Sequence, residues 1–535
     1  MIIGACTNDS RTANDSEAGP RAQASADQVL SDQASDDVNG EQADRQPPAD
    51  ADGPAATPDA ADPPVDGIDD EPDLSSIYAD PKSEGGGVED DAAAVKGLSE
   101  SQPDEENVAE ADEIPEPPNP TVVSERVEAT EFKITPRDAE SNDEFAWSLD
   151  LDGDALVSGA PLADDNGGNS GIAYIFRWSG TAWEEEGKLV PEDGREGDWF
   201  GKSAGVSGDT AVVGANRDDG PMRGEFYDDD TGSAYVFVRE DGPDGPIWVQ
   251  QAKLRADPQI EFAEFGFDVE IEGDLIAVSA WHDPSVDFNT GAVYVFHREG
   301  TEWTQEAKLV PSQGRAADEF GFDIAISGDT ILVGSSRDDG QANDAGAGYV
   351  YRRVAGRWFE EAILRVPDGQ GFDQLGWSVA LEDNTAVLGA PFHDGLTPDG
   401  GAAYVFEREG TMWTATWKLA PSDPFQGAWF GRAVGVAGHY ALVGAPRYDQ
   451  VTIDGIANEI FNLGVSYLFQ RTTQGWLQVA QLRADDPSDG DDFGWTVVLS
   501  REIAVVGAWL DDTEAGVDTG SAYSYVLAQD LSDGG

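Results

Sequence analysis

From about residue 126 onward the chain alternates short apolar runs with clusters of Gly, Asp, Asn and Pro, and one arrangement of these runs keeps returning. Its clearest copy is Phe320-Gly-Phe-Asp-Ile-Ala-Ile-Ser-Gly-Asp-Thr-Ile-Leu-Val-Gly334, followed after an Asp-rich gap by Gly346-Ala-Gly-Tyr-Val-Tyr351. The opening Phe-Gly, or a close variant, stands at Phe145-Ala146, Phe200-Gly201, Phe265-Gly266, Phe320-Gly321, Leu375-Gly376, Phe430-Gly431 and Phe493-Gly494. The steps of 55, 65, 55, 55, 55 and 63 residues give seven copies of one unit with two enlarged loops. A fixed period of this size signals a propeller, solenoid or array, in which each unit buries its apolar face against its neighbours.

The run lengths and residue types predict four strands per unit. The first, as in Gly376-Trp-Ser-Val-Ala-Leu381, mixes small and β-branched residues, which suit a strand crowded toward an axis. Gly-Asp then marks a two-residue hairpin, at Gly153-Asp154, Gly208-Asp209, Gly273-Asp274 and Gly328-Asp329. The second strand, as in Ala211-Val-Val-Gly-Ala215, is continuously apolar and must be covered on both faces. The third alternates aromatic and small residues (Ala234-Tyr-Val-Phe237), and the fourth carries a Trp five residues before a Lys-Leu position. That Trp recurs at 183, 248, 303, 358, 413 and 476, and six copies in one slot read as outer-strand packing rather than sugar platforms.

Unit seven stops after its third strand, Ala522-Tyr-Ser-Tyr-Val526, whereas Phe132-Lys-Ile-Thr-Pro136 matches a fourth strand and precedes unit one. The first folded strand is therefore expected to complete the last blade and close a ring without exposed sheet edges. The fold class read from these patterns is all-β: a seven-bladed β-propeller of four-stranded blades over residues 126–529, closed by an N-terminal strand and preceded by a disordered acidic tail.

Composition changes the picture only at the N-terminus. The first 125 residues hold 32 Asp and Glu against five Lys and Arg, one aromatic (Tyr78) and no Trp. Such a segment cannot bury enough apolar surface to offset its ordering entropy, so residues 7–125 read as an extended acidic linker. The net charge of −73 divides into −27 (5 − 32) for these residues and −46 (27 − 73) for the rest. An acidic body of this kind repels nucleic acid and anionic lipid, and it attracts cations or basic partners. Cys6 is the only cysteine, which excludes an intrachain disulfide framework.

Two resemblances follow from these residues. Ile3-Gly4-Ala5-Cys6 resembles the end of a bacterial lipoprotein signal, which implies lipidation at Cys6, although Met1-Ile2-Ile3 is too short to supply the rest of such a signal. Residues 1–6 are read as a remnant of one. The ordered set Phe-Gly, Gly-Asp, Gly-Ala-Pro and Ala-Tyr-Val-Phe resembles the FG-GAP repeats of integrin α chains and of bacterial surface proteins. Gly-Ala-Pro survives at Gly159-Ala-Pro161, Gly389-Ala-Pro391 and Gly444-Ala-Pro446. Integrin-type repeats carry an Asp-rich calcium loop between the first two strands; the Gly-Asp turn here has too few oxygens for one.

Function is expected on the face that carries the long loops. Candidate metal ligands there are Asp164, Asp219, Asp339, Asp394, Asp449 and Asp512, with Asp283 one residue early in unit three. They suggest a weak calcium site, against the simpler reading that Asp caps turns through its own backbone. No other cofactor is expected. Candidate binding residues are Trp199, Phe372, Phe425 and Trp429, together with Ile453, Ile456, Ile460 and Phe461 in the enlarged loop of residues 446–464. No zinc, nucleophile or phosphate-loop motif appears, the four histidines fall at different unit positions, and the ring reads as nearly uniform. The expectation is a non-catalytic binding or adhesion scaffold, a monomer that meets a protein or polysaccharide at a bacterial cell surface. It would touch a membrane, the outer membrane, only through a lipid anchor. The alternative is a secreted hydrolase or lyase acting on polysaccharide with an acidic central pocket.

Overall fold

The computed structural model describes residues 130–219, 230–243, 245–453 and 456–527, with backbone only for residues 450–460. Cys6 and the linker of residues 7–125 lie outside the described residues. The rest forms seven four-stranded antiparallel sheets. Blades one to six run from inner to outer strand in chain order, as in Phe320–Ser327, Thr330–Ser335, Ala347–Val354 and Arg357–Leu364 of blade four. Blade seven takes Val497–Leu499, Ile503–Ala508 and Ser521–Val526, and its outer strand is Glu131–Ile134, which precedes blade one in the chain. Phe132 pairs with Ser524 and Ile134 with Ala522, so the ring closes where the unmatched strand required it.

Each blade is built around its opening Phe. Phe320 is fully buried and meets Tyr349 and Tyr351 of its own third strand edge-on, at centroid distances of 5.4 and 5.9 Å. The same edge-on triad recurs at Phe200 with Tyr235 and Phe237, and at Phe265 with Tyr294 and Phe296. Such pairs add about 0.5–1.5 kcal/mol beyond the area they bury. Leu375 fills this slot in blade five, buried by Tyr404 and Phe406 in one cluster.

The glycines of the motif join blade to blade. A Cβ on Gly389 would lie 1.9 Å from the Gly431 carbonyl of the next blade, and one on Gly159 would lie 1.9 Å from that of Gly201. Gly201 itself sits at φ 96° and would drive a Cβ to 2.3 Å from the Ile172 carbonyl. Consecutive blades therefore touch backbone to backbone at these points, which only glycine permits. Side chains of the inner strands add staples: Asp150, Asp268 and Asp323 accept the amides of Val206, Ile324 and Val379, each on the next blade, at 2.6–2.8 Å. Across the closure Thr496 donates to the Ala146 carbonyl at 3.1 Å.

The hairpins match their sequence signal. Gly153, Gly208, Gly273 and Gly328 have φ between 57° and 62° while the following Asp does not turn left-handed, the pattern of a type II′ turn. The repeated Trp is packing, as expected: Trp183, Trp248, Trp303 and Trp413 each donate to a side chain of the preceding blade.

Two stability outcomes follow. Removing residues 1–125 is expected to leave the melting temperature unchanged, whereas removal through residue 137 opens blade seven and lowers it by about 5 °C or more; equal values would contradict closure by this strand. Gly389→Ala is expected to cost about 3 kcal/mol in chemical denaturation, because neither backbone at that contact can move aside.

Candidate functional site

The regular carboxylates of the long-loop face are turned inward on their own loops. Asp164, Asp219, Asp339, Asp394, Asp449 and Asp512 each accept the backbone amide of a left-handed residue further along the same loop, Asn169, Asp230, Asp344, Asp399, Asn462 and Asp518. The second set, Asp143, Asp198, Asp318, Asp373 and Asp491, accepts the amide three residues earlier. Asp283 belongs to neither. It aligns with Asp218, Asp338 and Asp511, is fully buried, and takes the Tyr294 hydroxyl and the Lys308 ammonium at 2.7 Å each. In blade five His393 occupies that position, between Asp373 and Lys418. Among the described residues no three His, Cys, Asp or Glu side chains converge to hold a metal ion. This geometry suits the turn-capping role of the six aspartates.

The aromatic candidates separate by position. Phe372 and Phe461 are exposed, and Phe425 packs against Tyr448 at 5.5 Å. The backbone of the enlarged loop forms a two-stranded ribbon, Gln450–Ile453 with Ile456–Ile460, but the side chains of Ile453, Ile456 and Ile460 lie outside the described residues. Trp199 and Trp429 differ from these. The Arg217 guanidinium lies over the Trp199 ring at 3.6 Å, and Trp429 has Arg447 at 4.9 Å and Phe392 at 5.3 Å.

Phe392 in turn touches Trp377 at 5.5 Å, and this contact leads to the axis. A cavity of about 320 Å³ runs between the inner strands of all seven blades. The residue after each Phe-Gly faces it: Trp147, Lys202, Phe267, Phe322, Trp377, Arg432 and Trp495. The ring is therefore far from uniform, and the expectation of uniformity is corrected here. Five positions are aromatic and two, in blades two and six, are cationic. The aromatic rings interlock around the mouth, Phe267 with Phe322 at 5.5 Å, Phe322 with Trp377 at 4.6 Å, and Trp147 with Trp495 at 5.6 Å.

Both cations lean on rings. The Lys202 ammonium is 4.4 Å from Phe267 and 5.1 Å from Trp147, and the Arg432 guanidinium is 3.9 Å from Trp495 and 5.6 Å from Trp377. Among the described residues neither has an ion pair, and the Arg432 Nε has no hydrogen-bond partner. Burial, with Arg432 acting second, lowers Lys202 to about 8; burial lowers Arg432 to about 10. Below them lie Asp150, Asp268, Glu270 and Asp323. Burial, reinforced by Asp323, holds Asp268 well above the usual carboxylate range, and burial does the same to Glu270.

A second circle surrounds this mouth, formed by the residue before each Phe: Glu144, Trp199, Glu264, Glu319, Gln374, Trp429 and Asp492. All seven have left-handed φ between 53° and 57°. Glu264 meets His282 at 3.4 Å and Glu319 meets Arg337 at 3.5 Å.

The signal for this site was the inner-strand column after Phe-Gly, where Lys202 and Arg432 interrupt a run of aromatic residues. Sequence reasoning missed it by reading that strand for its small residues.

FG-GAP repeat sequences match seven segments, residues 129–176, 183–237, 248–296, 303–351, 358–406, 413–467 and 476–525, more than half of the chain. The chain belongs to the FG-GAP repeat family. From the second onward, each matched FG-GAP segment starts on or beside the outer strand of one blade and ends in the third strand of the next. The sequence repeat is thus offset by one strand from the structural blade, which is the offset that closes this FG-GAP ring. No curated protein matches the chain.

Glu144 provides a pH test. One of its oxygens is buried without a partner, and burial, with Asp518 second, pushes its carboxyl up to about 8. The folded state therefore keeps this proton between pH 4.5 and about 8 while the unfolded chain releases it, so stability falls as pH rises through that window. Glu144→Gln is expected to leave stability at pH 5 unchanged and raise it at pH 8 by about 1 kcal/mol, read from denaturation midpoints at both values.

Proposed function

We propose that this FG-GAP propeller is a non-catalytic binding module that engages a partner through its long-loop face, with the axial mouth as anchor. One observation carries the reading: a seven-fold scaffold places two cations among five aromatics at a single open position. Packing alone would repeat one residue type there, and cavities that bind ligands combine apolar walls with a few placed polar groups. Aromatic and arginine side chains are also the usual energetic anchors of interfaces. We further propose export and tethering at Cys6, on the strength of Ile3-Gly4-Ala5-Cys6 and the long acidic segment after it. Cys6→Ser expressed from the natural locus is expected to leave the membrane fraction.

A hydrolase or lyase is the second reading, supported by the adjacent carboxyls of Asp268 and Asp323 in the cavity. Both already hold amides of neighbouring inner strands, which favours binding over turnover.

The deciding experiment presents the full chain to a panel of purified surface polysaccharides, neutral and acidic, and of surface proteins. Trp377→Ala and Trp429→Ala are expected to weaken capture of whichever ligand binds by about tenfold or more, with the fold kept by circular dichroism. Replacing residues 450–462 with a short Gly-Ser loop shows whether the ribbon contributes. Binding untouched by both Trp variants, or none across the panel, would overturn the reading; release of chain fragments would establish the second.

A further inference from the structure

The axial mouth holds two cations that no carboxylate among the described residues pairs, although acids line the cavity beneath them. The chain carries 105 acidic and 32 basic side chains, and most cations of the propeller are neutralised by carboxylates. Arg353 is paired with Glu306 at 2.7 Å, Arg365 with Asp338 at 2.7 Å, and Lys253 with both Asp193 and Asp218 at 2.7 Å. With so many acids available, a cation left without one is unexpected. Lys202, Arg217 and Arg432 are three such cations, with no carboxylate within ion-pair distance among the described residues, and each lies over an aromatic ring. Lys202 feels the charge of Arg432, then of Asp268 and Glu264 in the opposite sense, then of Arg217, so the three cations share one electrostatic neighbourhood with two carboxylates.

We propose that this mouth binds a carboxylated sugar unit, the end or a short stretch of an acidic polysaccharide, with the carboxylate held between Lys202 and Arg432. The proposal rests on the binding reading above and names its ligand class. Three features of the cavity converge on that chemistry. The cations attract an anion, and an entering carboxylate relieves their mutual repulsion and fills the free donors of Arg432. The walls of Trp147, Phe267, Phe322, Trp377 and Trp495 offer flat apolar faces, which suit the C–H faces of a pyranose ring. The floor offers Glu270 as a partner for hydroxyl groups, beside Asp268 and Asp323, which already hold backbone amides. An acidic peptide side chain would satisfy the cations but has no hydroxyls for this floor. A neutral sugar would satisfy walls and floor but leave the cations unanswered.

Burial pushes the Asp268 and Glu270 carboxyls well above the usual carboxylate range, which weakens their repulsion of an anionic ligand. The volume of about 320 Å³ is at the small end of ligand cavities, enough for a chain end and too small for a folded partner. Arg217 on Trp199 extends the same pairing of cation and ring outward from the axis, where the next sugar of a chain would lie.

The test is calorimetric titration of the full chain with an oligogalacturonide, its fully methyl-esterified counterpart, and a poly-glutamate peptide. The acidic sugar is expected to bind, and the esterified one at least about tenfold more weakly. Lys202→Met and Arg432→Gln are each expected to weaken the acidic sugar at least about tenfold and to leave the esterified form unchanged. Lys202→Arg is expected to retain binding. Melting curves verify that the variants fold; removing a desolvated cation is expected to leave the melting temperature equal or higher. No binding of the acidic sugar overturns the proposal, as does equal binding of the ester, or binding indifferent to Lys202→Met and Arg432→Gln. Preferential binding of poly-glutamate through the same two residues overturns the sugar class while leaving the binding module standing.

Discussion

Everything in this ring depends on the close approach of one blade's backbone to the next at paired glycines. Gly159 on Gly201, Gly214 on Gly266, Gly334 on Gly376, Gly389 on Gly431 and Gly444 on Gly494 are the same contact five times, each leaving 1.9–2.1 Å where a side chain would begin. It brings the inner strands close enough for a side chain of one to hold the amide of the next. It also places the opening Phe of each blade against the Tyr of its own third strand. Where the glycine changes, the neighbourhood changes with it. Blade three has Ser279, and its Cβ lies 3.0 Å from the Cβ position of Gly321. Blade seven meets Ala146 rather than glycine at the closure, where Thr496 adds its own hydrogen bond.

The same crowding explains why the axial mouth is informative. The largest side chains facing the cavity stand at the position after Phe-Gly. Seven rotated copies of one position then face one another across a single cavity. Any residue there is seen by all the others, and two cations suffice to change the character of the site. Lys202 and Arg432 lie against ring faces and make no ion pair among the described residues, although carboxylates nearby favour their charge, an arrangement that leaves their donors open to a ligand.

The acidic loops illustrate the opposite case. Read along the chain, recurring aspartates at matched positions resemble a rim of ligands. In the fold, Asp394 and its equivalents close their own loops by accepting the amide of a residue in the left-handed conformation. Repetition was the clue to this role: a feature present in every blade serves what every blade needs. The useful signals were the breaks in repetition, at Lys202 and Arg432 on the axis and at Trp199 and Trp429 beside it.

Strand number, hairpin length, blade count and ring closure were all legible in the sequence, because each depends on local spacing: apolar period, Gly-Asp turns, and the count of strands at the two ends. The placement of Phe132 to Pro136 in blade seven follows from that count alone. The site was not legible in this way. Lys202 and Arg432 are 230 residues apart, and nothing near either one indicates that they share a cavity. Only closure of the ring brings blades two and six to face each other, strips water from both cations and sets them against rings contributed by four further blades. Local chemistry determined the blades by itself, whereas the mouth belongs to the circle they make.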